Sequence, residues 1–265
     1  MERFETGARR LGTPRAHFRL ADSTNARARE LAGRGAPHGT VVTAAEQSEG
    51  RGRQGRTWSA PAGRALLCSI VIREPPELLP LAAGAAVAEV VDGAGAPAGV
   101  VDGAGAPAGV AVAERVGADA LIKWPNDVLV DGRKVAGILV EGRPQEGWAV
   151  VGIGVNVAVR PEDYPPELRD RAGTLGLDPS AIEPTLAALL RALERWVGAG
   201  AGPVLEAVRT RDAFLGREVR WGGRIGIGAG IDGDGRLVVR TDGGEERLDA
   251  GEVHLGGDWP RRSAE

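Results

Sequence analysis

The stretch from Gly50 to Trp58, GRGRQGRTW, concentrates positive charge on a flexible backbone. Its arginines, at positions 51, 53 and 56, alternate with glycines that let the main chain approach a ligand closely. An apolar strand-like segment precedes the stretch and another follows it. Residues of these types at this spacing favour a loop that closes over a ligand and wraps an anion.

Two familiar phosphate-binding patterns overlap this stretch. Its letters fit G-x-x-x-x-G-R-T, a phosphate loop with arginine in the lysine position, and its glycines spell G-x-G-x-x-G with Glu74 downstream. Both patterns must open a helix, because the phosphates sit at the N-terminus of that helix. Pro61 and Gly63 prevent a helix after the stretch. Both matches are therefore false positives.

Charge and composition exclude several classes of protein. The net charge of −3 argues against a nucleic-acid-binding arginine–glycine tail. No apolar run approaches the roughly 20 residues of a membrane helix, and the first residues lack the apolar stretch of a secretory signal. Cys68 is the one cysteine, and His17, His38 and His254 have no ligand spacing. We therefore expect a cytosolic protein with no disulfide and no membrane partner.

The scarce residue types mark further candidates. Of 33 basic residues only Lys123 and Lys134 are lysines, and Asn25, Asn126 and Asn156 are the three asparagines. Because arginine replaces most surface lysines at little cost, the remaining lysines indicate positions that need a compact charge.

Alternating and continuous apolar patterns predict the elements that position these residues. A short strand precedes a helix that Asp22 or Ser23 caps. GTVVTAAEQ and RALLCSIVI are strands on either side of the arginine loop, and LLPLAAGAAVAEVV is an apolar helix. DVLVDGRKVAGILVEG predicts a hairpin that turns at Asp131-Gly132, and GWAVVGIGVNVAV pairs next. Two helices follow, and the tail from Arg217 predicts four or five short strands.

The ten residues VDGAGAPAGV occur twice in tandem between Val91 and Val110. Their glycine, alanine and proline content disfavours a helix or a paired strand. We therefore expect a duplicated surface loop without chemistry.

Five motifs together resemble the biotin protein ligases, in that family's order and over nearly the whole chain from about Ser23 to Leu255. They are STN (23–25), EQSEGRGRQGRTW (46–58), KWPNDV (123–128), GRKVAGILVE (132–141) and GIGVNV (152–157). The resemblance implies an α/β (α+β) fold, with a mixed-sheet catalytic domain over 1–214 and a small SH3-like β-barrel over 215–265. Only about 16 residues precede the first strand, so we expect no DNA-binding domain and no operator binding.

The resemblance implies an ATP-dependent activation of biotin to biotinyl-5′-AMP, followed by transfer to a lysine of a biotin carboxyl carrier domain of acetyl-CoA or acyl-CoA carboxylase. Arg53 and Lys134 are then the catalytic residues. The residues implied for biotin are Ser23, Thr24, Asn25, Gln47, Arg51, Gly52, Arg53, Lys134 and Gly137. Those implied for ATP are Arg56, Trp58, Lys123, Asn126, Asp127 and Asn156. Mg²⁺ is expected with ATP, although the motifs assign no metal ligands.

Two other hypotheses remain open from the sequence. A lipoate ligase shares the fold, although it is not expected to carry the arginine loop or KWPND. A biotin sensor without turnover would bind the same ligand, but the presence of both Arg53 and Lys134 argues against it. The oligomeric state, monomer or homodimer, is not determined by the motifs.

Overall fold

A seven-stranded mixed sheet forms the larger part of the protein. The structure is a computed structural model that describes residues 10–94, 119–249 and 253–255. The strands are β1 (Arg15–Phe18), β2 (Val41–Ala44), β3 (Leu66–Arg73), β4 (Leu121–Lys123), β5 (Asp127–Val130), β6 (Arg133–Arg143) and β7 (Trp148–Val155). Their order in the sheet is β1-β2-β3-β7-β6-β5-β4. The predicted mixed α/β fold is confirmed.

Strand β1 pairs with β2 in parallel, and every other neighbouring pair in this sheet is antiparallel. A parallel pair needs a crossover connection, and helix α1 (Thr24–Gly33) supplies it. Ser23 has extended backbone angles, and its side chain accepts a hydrogen bond from the Ala26 N–H, so Ser23 is the N-cap. Of the two caps considered from the sequence, Ser23 is the one used.

The two faces of the sheet are covered by different helices. Helix α1 packs with Val71, Trp148 and Val150 on one face. Helices α2 (Leu79–Ala94) and α3 (Ile182–Gly198) cover the other face, which holds the main core. Cys68 lies in that core, and burial raises the pKa of its thiol to about 12, as expected for an inert residue. Within the described ranges, none of the helices is long and apolar enough to cross a membrane.

The predicted hairpin between β5 and β6 turns at Asp131 (φ 49°) and Gly132 (φ 73°), both left-handed, as a type I′ turn requires. Its register contains a bulge: Val128 pairs with Ala136, but Leu129 pairs with Lys134, which leaves Val135 as the extra residue of β6. The bulge decides which side chains of β6 face the α1 side of the sheet.

A five-stranded antiparallel sheet follows helix α4 (Ala201–Arg209). Its strands are β8 (Glu218–Trp221), β9 (Arg224–Ile231), β10 (Leu237–Thr241), β11 (Gly244–Leu248) and β12 (His254–Leu255), in the order β11-β10-β9-β8-β12. Val219, Ile231, Leu237 and Val239 belong to the same core as α2. The small C-terminal β-domain expected from the sequence is therefore present, and its core is continuous with that of the larger sheet.

The expectation that the whole duplicated decapeptide forms a surface loop is wrong for its first four residues. Helix α2 extends to Ala94, so the first four residues of the first copy, 91–94, are helical. Val91 is 1% exposed in the main core, and Asp92 accepts hydrogen bonds from the Ala120 N–H and from Arg211. Burial and these contacts outweigh the low helix propensity of glycine. Residues 95–110 lie outside the described residues.

We expect that deletion of residues 101–110, the second copy, leaves ligation rates and stability essentially unchanged. Lengthening a surface loop costs little, because closure entropy changes by only about 0.6 kcal/mol per doubling of length. Melting temperature and biotin incorporation, compared between the deletion variant and the intact chain, check this. A large drop in either would mean that the second copy packs against the rest of the protein.

Candidate active site

A pocket that contains many of the predicted site residues lies on the α1 face of the sheet, beyond the N-terminus of that helix. Cross-strand pairing aligns Leu67, Gly154 and Gly137 across β3, β7 and β6, and Asp127 on β5 continues the row. Because two of these four positions are glycine, the row forms a low floor. The row has space above it that the arginine loop and the first turn of α1 enclose.

The predicted site residues converge on this pocket, with one exception. Those that line it are Ser23, Thr24, Asn25, Gln47, Arg51, Gly52, Arg53, Arg56, Trp58, Lys123, Asn126, Asp127, Lys134 and Gly137.

Asn156, predicted for ATP, does not line the pocket. It is 4% exposed, its side-chain N–H donates to the Gly173 carbonyl at 2.9 Å, and its backbone N–H donates to the Val135 carbonyl at 2.9 Å. These contacts tie the end of β7 to the bulge and to the segment after it. The side-chain N–H of Asn156 is thus used inside the fold, and the contact of Asn156 with ATP stays a prediction.

Asn25 attaches helix α1 to the sheet. Its Nδ2 donates to the Leu139 carbonyl at 3.3 Å and to the Glu141 carboxylate at 2.8 Å, and its Oδ1 accepts from the Ser69 hydroxyl at 2.6 Å. Gly152 makes this possible, since a Cβ there would lie 1.9 Å from Asn25 Oδ1. Both N–H donors of the amide are used by the protein, so Asn25 positions its neighbours although it lines the pocket.

We expect that Asn25→Asp lowers the free energy of unfolding at pH 7 by about 3 kcal/mol. The new carboxylate would replace a donor with an acceptor facing the Leu139 carbonyl and the Glu141 carboxylate. Urea unfolding measures the loss, which should shrink at low pH, where the new acid is protonated. Gln54→Glu, the same change on an exposed loop residue, should be nearly neutral. An N25D protein as stable as the original would contradict this role.

Thr24 fixes the orientation of the Gln47 amide. The backbone N–H of Thr24 donates to Gln47 Oε1 at 2.7 Å, and the Thr24 hydroxyl donates to the same oxygen at 3.1 Å. Since the oxygen is thereby engaged, the NH₂ group is what Gln47 offers to a ligand. The pocket end next to α1 thus combines a hydrogen-bond donor with the partial positive charge of a helix N-terminus.

The arginine loop closes on itself and on the KWPND turn. The backbone N–H of Trp58 donates to the Gly50 carbonyl at 2.9 Å, and a Cβ on Gly50 would lie 2.2 Å from the Trp58 carbonyl oxygen. Arg53 Nη1 donates to Asn126 Oδ1 at 2.9 Å. No helix follows the loop, so the rejection of both helix-opening phosphate patterns is confirmed.

The Trp58 indole covers the glycine floor. A Cβ on Gly154 would lie 2.5 Å from the indole ring, and one on Gly137 would lie 2.9 Å from it. Lys134 Nζ lies 5.4 Å from the ring centroid, within range of a cation–π contact. The buried indole Nε1 makes no hydrogen bond to the described part of the chain. A buried donor of this kind suits a ligand acceptor.

Positive charge surrounds Asp127 at the opposite end from α1. Lys134 Nζ lies 2.6 Å from Asp127 Oδ1, and Lys123 Nζ lies 3.8 Å from Oδ2. Burial lowers the pKa of Lys123, and the positive charges of Lys134, Arg56 and Arg171 lower it further, while Asp127 opposes them. Several cations that share one carboxylate form a site for a polyanion.

Sequence reasoning missed four residues around the pocket: Ser69, Glu141, Arg171 and His254. Ser69 is the lone polar side chain in an otherwise apolar run, a signal that could have identified it. Arg171 is held by a hydrogen bond from the Lys134 N–H to its carbonyl, at 2.7 Å. Burial lowers the pKa of His254, and the charges of Lys123, Arg56 and Arg171 add to this. Nothing local in the sequence indicated Arg171 or His254.

The chain matches two protein families and has relatives of known activity. Residues 17–157 match the Biotin/lipoate A/B protein ligase family, and residues 214–256 match the Biotin protein ligase C terminal domain. A biotin–[acetyl-CoA-carboxylase] ligase of Paracoccus denitrificans is 37% identical over 253 residues, covering 89% of this chain and 98% of that protein. A bifunctional ligase/repressor of Bacillus subtilis is 29% identical over 262 residues, covering 93% of this chain and 75% of that protein.

A solved structure is similar over almost the same length. Biotin protein ligase from Aquifex aeolicus, in complex with biotin and ATP, has a TM-score of 0.71 and 26% sequence identity. The similarity covers 92% of this chain and 99% of that one.

Proposed function

The chain belongs to the biotin protein ligase family and is a ligase, and on that premise we propose how its pocket carries out the two steps of the reaction. In the first step, a carboxylate oxygen of biotin attacks the α-phosphate of ATP, biotinyl-5′-AMP forms and pyrophosphate leaves. In the second, the amine of an acceptor lysine attacks the biotinyl carbonyl, an amide forms and AMP leaves.

Biotin occupies the end of the pocket next to α1. Its ureido ring has both donors and an acceptor, which suit the hydroxyls of Ser23 and Thr24 and the amide of Gln47. Gly52 lets the loop backbone approach, and Arg51 and Arg53 supply charge for the carboxylate and the adenylate. Asn25 acts indirectly, because both of its N–H donors hold α1 on the sheet.

The nucleotide occupies the end around Asp127. Arg56, Lys123 and Lys134 offset the charge of the polyphosphate, and Arg171 and His254 border the same region. The unsatisfied indole N–H of Trp58 is available to an acceptor on the ligand. Gly137 keeps the floor low beneath the indole. This arrangement brings an anionic carboxylate and an anionic phosphate together without leaving either charge unopposed.

Magnesium fits this end as an ion that arrives with ATP. No three His, Cys, Asp or Glu side chains of the described ranges form a metal-binding group. Mg²⁺ in such sites needs only one or two carboxylates, with phosphates and waters as its other ligands. Asp127 and the side-chain oxygen of Asn126 are the residues that would hold it. When bound, it neutralises charge on the phosphate groups.

Lys134 lies between the two ends. Its ammonium lies beside both Asp127 and Trp58, and a compact cation at this point can follow negative charge as it moves from the carboxylate to the transferred phosphate. The Trp58 indole and the arginine loop exclude water from the mixed anhydride until the acceptor amine arrives.

The acceptor is a biotin carboxyl carrier domain of acetyl-CoA carboxylase, since a relative that this chain covers almost completely is named for that reaction. We also assign residues 1–214 to the catalytic domain and 215–265 to the C-terminal domain. The first strand of the second sheet, which begins at Glu218, supports this division.

The single observation that carries the proposal is a pocket whose two ends differ in charge. Neutral hydrogen-bond donors lie at the end next to α1, and several cations lie at the end around Asp127. The test is the mass of a carrier domain after incubation with the protein, ATP, Mg²⁺ and biotin. We expect one added biotinyl group, with pyrophosphate released in equal amount. A carrier whose target lysine is changed to arginine should stay unmodified. Transfer of lipoate but not biotin, or biotin binding without pyrophosphate release, would refute the proposal.

A further inference from the structure

We propose that Trp124 is a positioning residue through which the C-terminal sheet holds the nucleotide end of the pocket in place. The inference rests on the proposed function of that end, and it names the residue through which the second sheet reaches it. The sheet acts through a hydrogen bond to the residue that begins the turn before Asn126 and Asp127.

The contact is buried and specific. Trp124 is 3% exposed, and its indole Nε1 donates to the Gly235 carbonyl at 2.9 Å. An indole has one N–H donor and no acceptor, so this bond satisfies the whole polar capacity of the side chain. Since a buried donor without a partner is unfavourable, the position of the Trp124 ring is coupled to that of the Gly235 carbonyl.

The turn that presents this carbonyl is held by its own hydrogen bonds. It connects β9 to β10, and Asp232 Oδ1 accepts from the backbone N–H groups of Asp234 and Arg236, each at 2.9 Å. Gly235 has a φ of +79°, in the left-handed region that favours glycine. The conformation of the turn is therefore specified by its own residues.

The turn also packs against Leu78 and Leu81 of the larger domain. A Cβ on Gly235 would lie 2.8 Å from Leu78 Cδ2 and 2.8 Å from Leu81 Cδ1, at the start of helix α2. The space of a Cβ at Gly235 is therefore already occupied by these leucines, so the turn packs closely against them. The Gly235 carbonyl is thus fixed relative to the main sheet, and Trp124 is fixed through it.

The position of Trp124 affects the nucleotide end of the pocket. Trp124 lines the pocket and is separated from Asn126 by Pro125 alone. Asn126 accepts from Arg53, and Asp127 pairs with Lys134. Movement of Trp124 would displace these acceptors. The biotin end is anchored separately, by the hydrogen bonds of Asn25 and Thr24 on α1.

The test compares Trp124→Phe and Gly235→Ala with a matched control, Gly223→Ala. Gly223 lies in another turn of the same sheet with a φ of +78°, and nothing lies within 4 Å of a Cβ built there. Alanine is strained at both positions because both glycines have a left-handed φ, but only G235A places a Cβ against Leu78 and Leu81. W124F keeps an aromatic ring and removes the N–H.

Calorimetry with Mg²⁺–ATP and with biotin, each added alone, gives the two affinities without any need for turnover. W124F should weaken ATP binding by about tenfold, the effect of losing a buried hydrogen bond. G235A should weaken it by a similar factor, because the new Cβ displaces the carbonyl that accepts this bond. Both variants should leave the biotin affinity within about twofold. G223A should leave both affinities unchanged.

The proposal is overturned if ATP affinity is unchanged in W124F and G235A, or if biotin affinity falls by the same factor as ATP affinity. An equal loss of ATP affinity in G223A would also overturn it, since strain in the sheet would then suffice. Because the measurement needs no catalysis, its result stands apart from the carrier assay that tests the proposed function.

Discussion

Replacement of Lys134 with methionine is expected to slow the formation of biotinyl-AMP by a factor of about 100 or more, the usual effect of removing one group that stabilises charge in a transition state. Methionine keeps an unbranched side chain above Gly137 but loses the ammonium and its cation–π contact with Trp58. Asp127 would also lose the partner at 2.6 Å and keep Lys123 at 3.8 Å, so its carboxylate would repel the polyphosphate more strongly.

Pyrophosphate release at saturating biotin and ATP measures this effect. Arg143→Met is the matched control, because Arg143 lies on the same strand and pairs with Glu146 at the surface, away from the pocket. Its rate should equal that of the original chain. If K134M keeps more than about a tenth of the rate, Lys134 does not stabilise the transferred charge, and a nearby cation must do so.

Replacement of Arg53 with glycine is expected to release biotinyl-AMP more than about tenfold faster, since a charge-assisted hydrogen bond contributes roughly 1.5–3 kcal/mol. The same change removes the bond from Arg53 to Asn126, which holds the loop on the KWPND turn. The released adenylate then acylates lysines of bystander proteins. The chain itself offers only Lys123, Lys134 and its N-terminal amine, so it should label itself far less than a lysine-rich protein.

Streptavidin blotting of a mixture of the variant, ATP, biotin and serum albumin tests this expectation. Arg64→Gly is the control, because Arg64 belongs to the same segment between β2 and β3 but does not line the pocket. Albumin should be labelled with R53G and not with R64G. Unlabelled albumin, together with normal adenylate formation by R53G, would show that Arg53 does not retain the intermediate.

Local chemistry in the sequence determined most of the elements and most of the candidate site. Asp22 and Ser23 predicted the start of α1, because a side-chain oxygen is needed to satisfy the first N–H groups of a helix, and the structure uses Ser23. Asp131-Gly132 predicted the hairpin because that turn requires two left-handed residues. The same local reasoning was wrong for residues 91–94, where burial of Val91 outweighs the propensity of its neighbours.

The arrangement of the side chains depended on contacts between distant segments. In a regular strand, Lys134 and Gly137 are three residues apart and face opposite sides. The bulge at Val135 puts both on the α1 face with Asp127, and only pairing with β5 reveals it.

The roles of individual asparagines and of Trp124 likewise depend on partners that lie far away in the chain. Asn25 meets Ser69 and Glu141, 44 and 116 residues away, and these contacts use its amide to hold α1. Asn156 is drawn into the fold by Gly173, and Trp124 bonds Gly235, 111 residues away. Residue types determine which hydrogen bonds a side chain can make, but the packing of the two sheets and α1 decides which partner it meets.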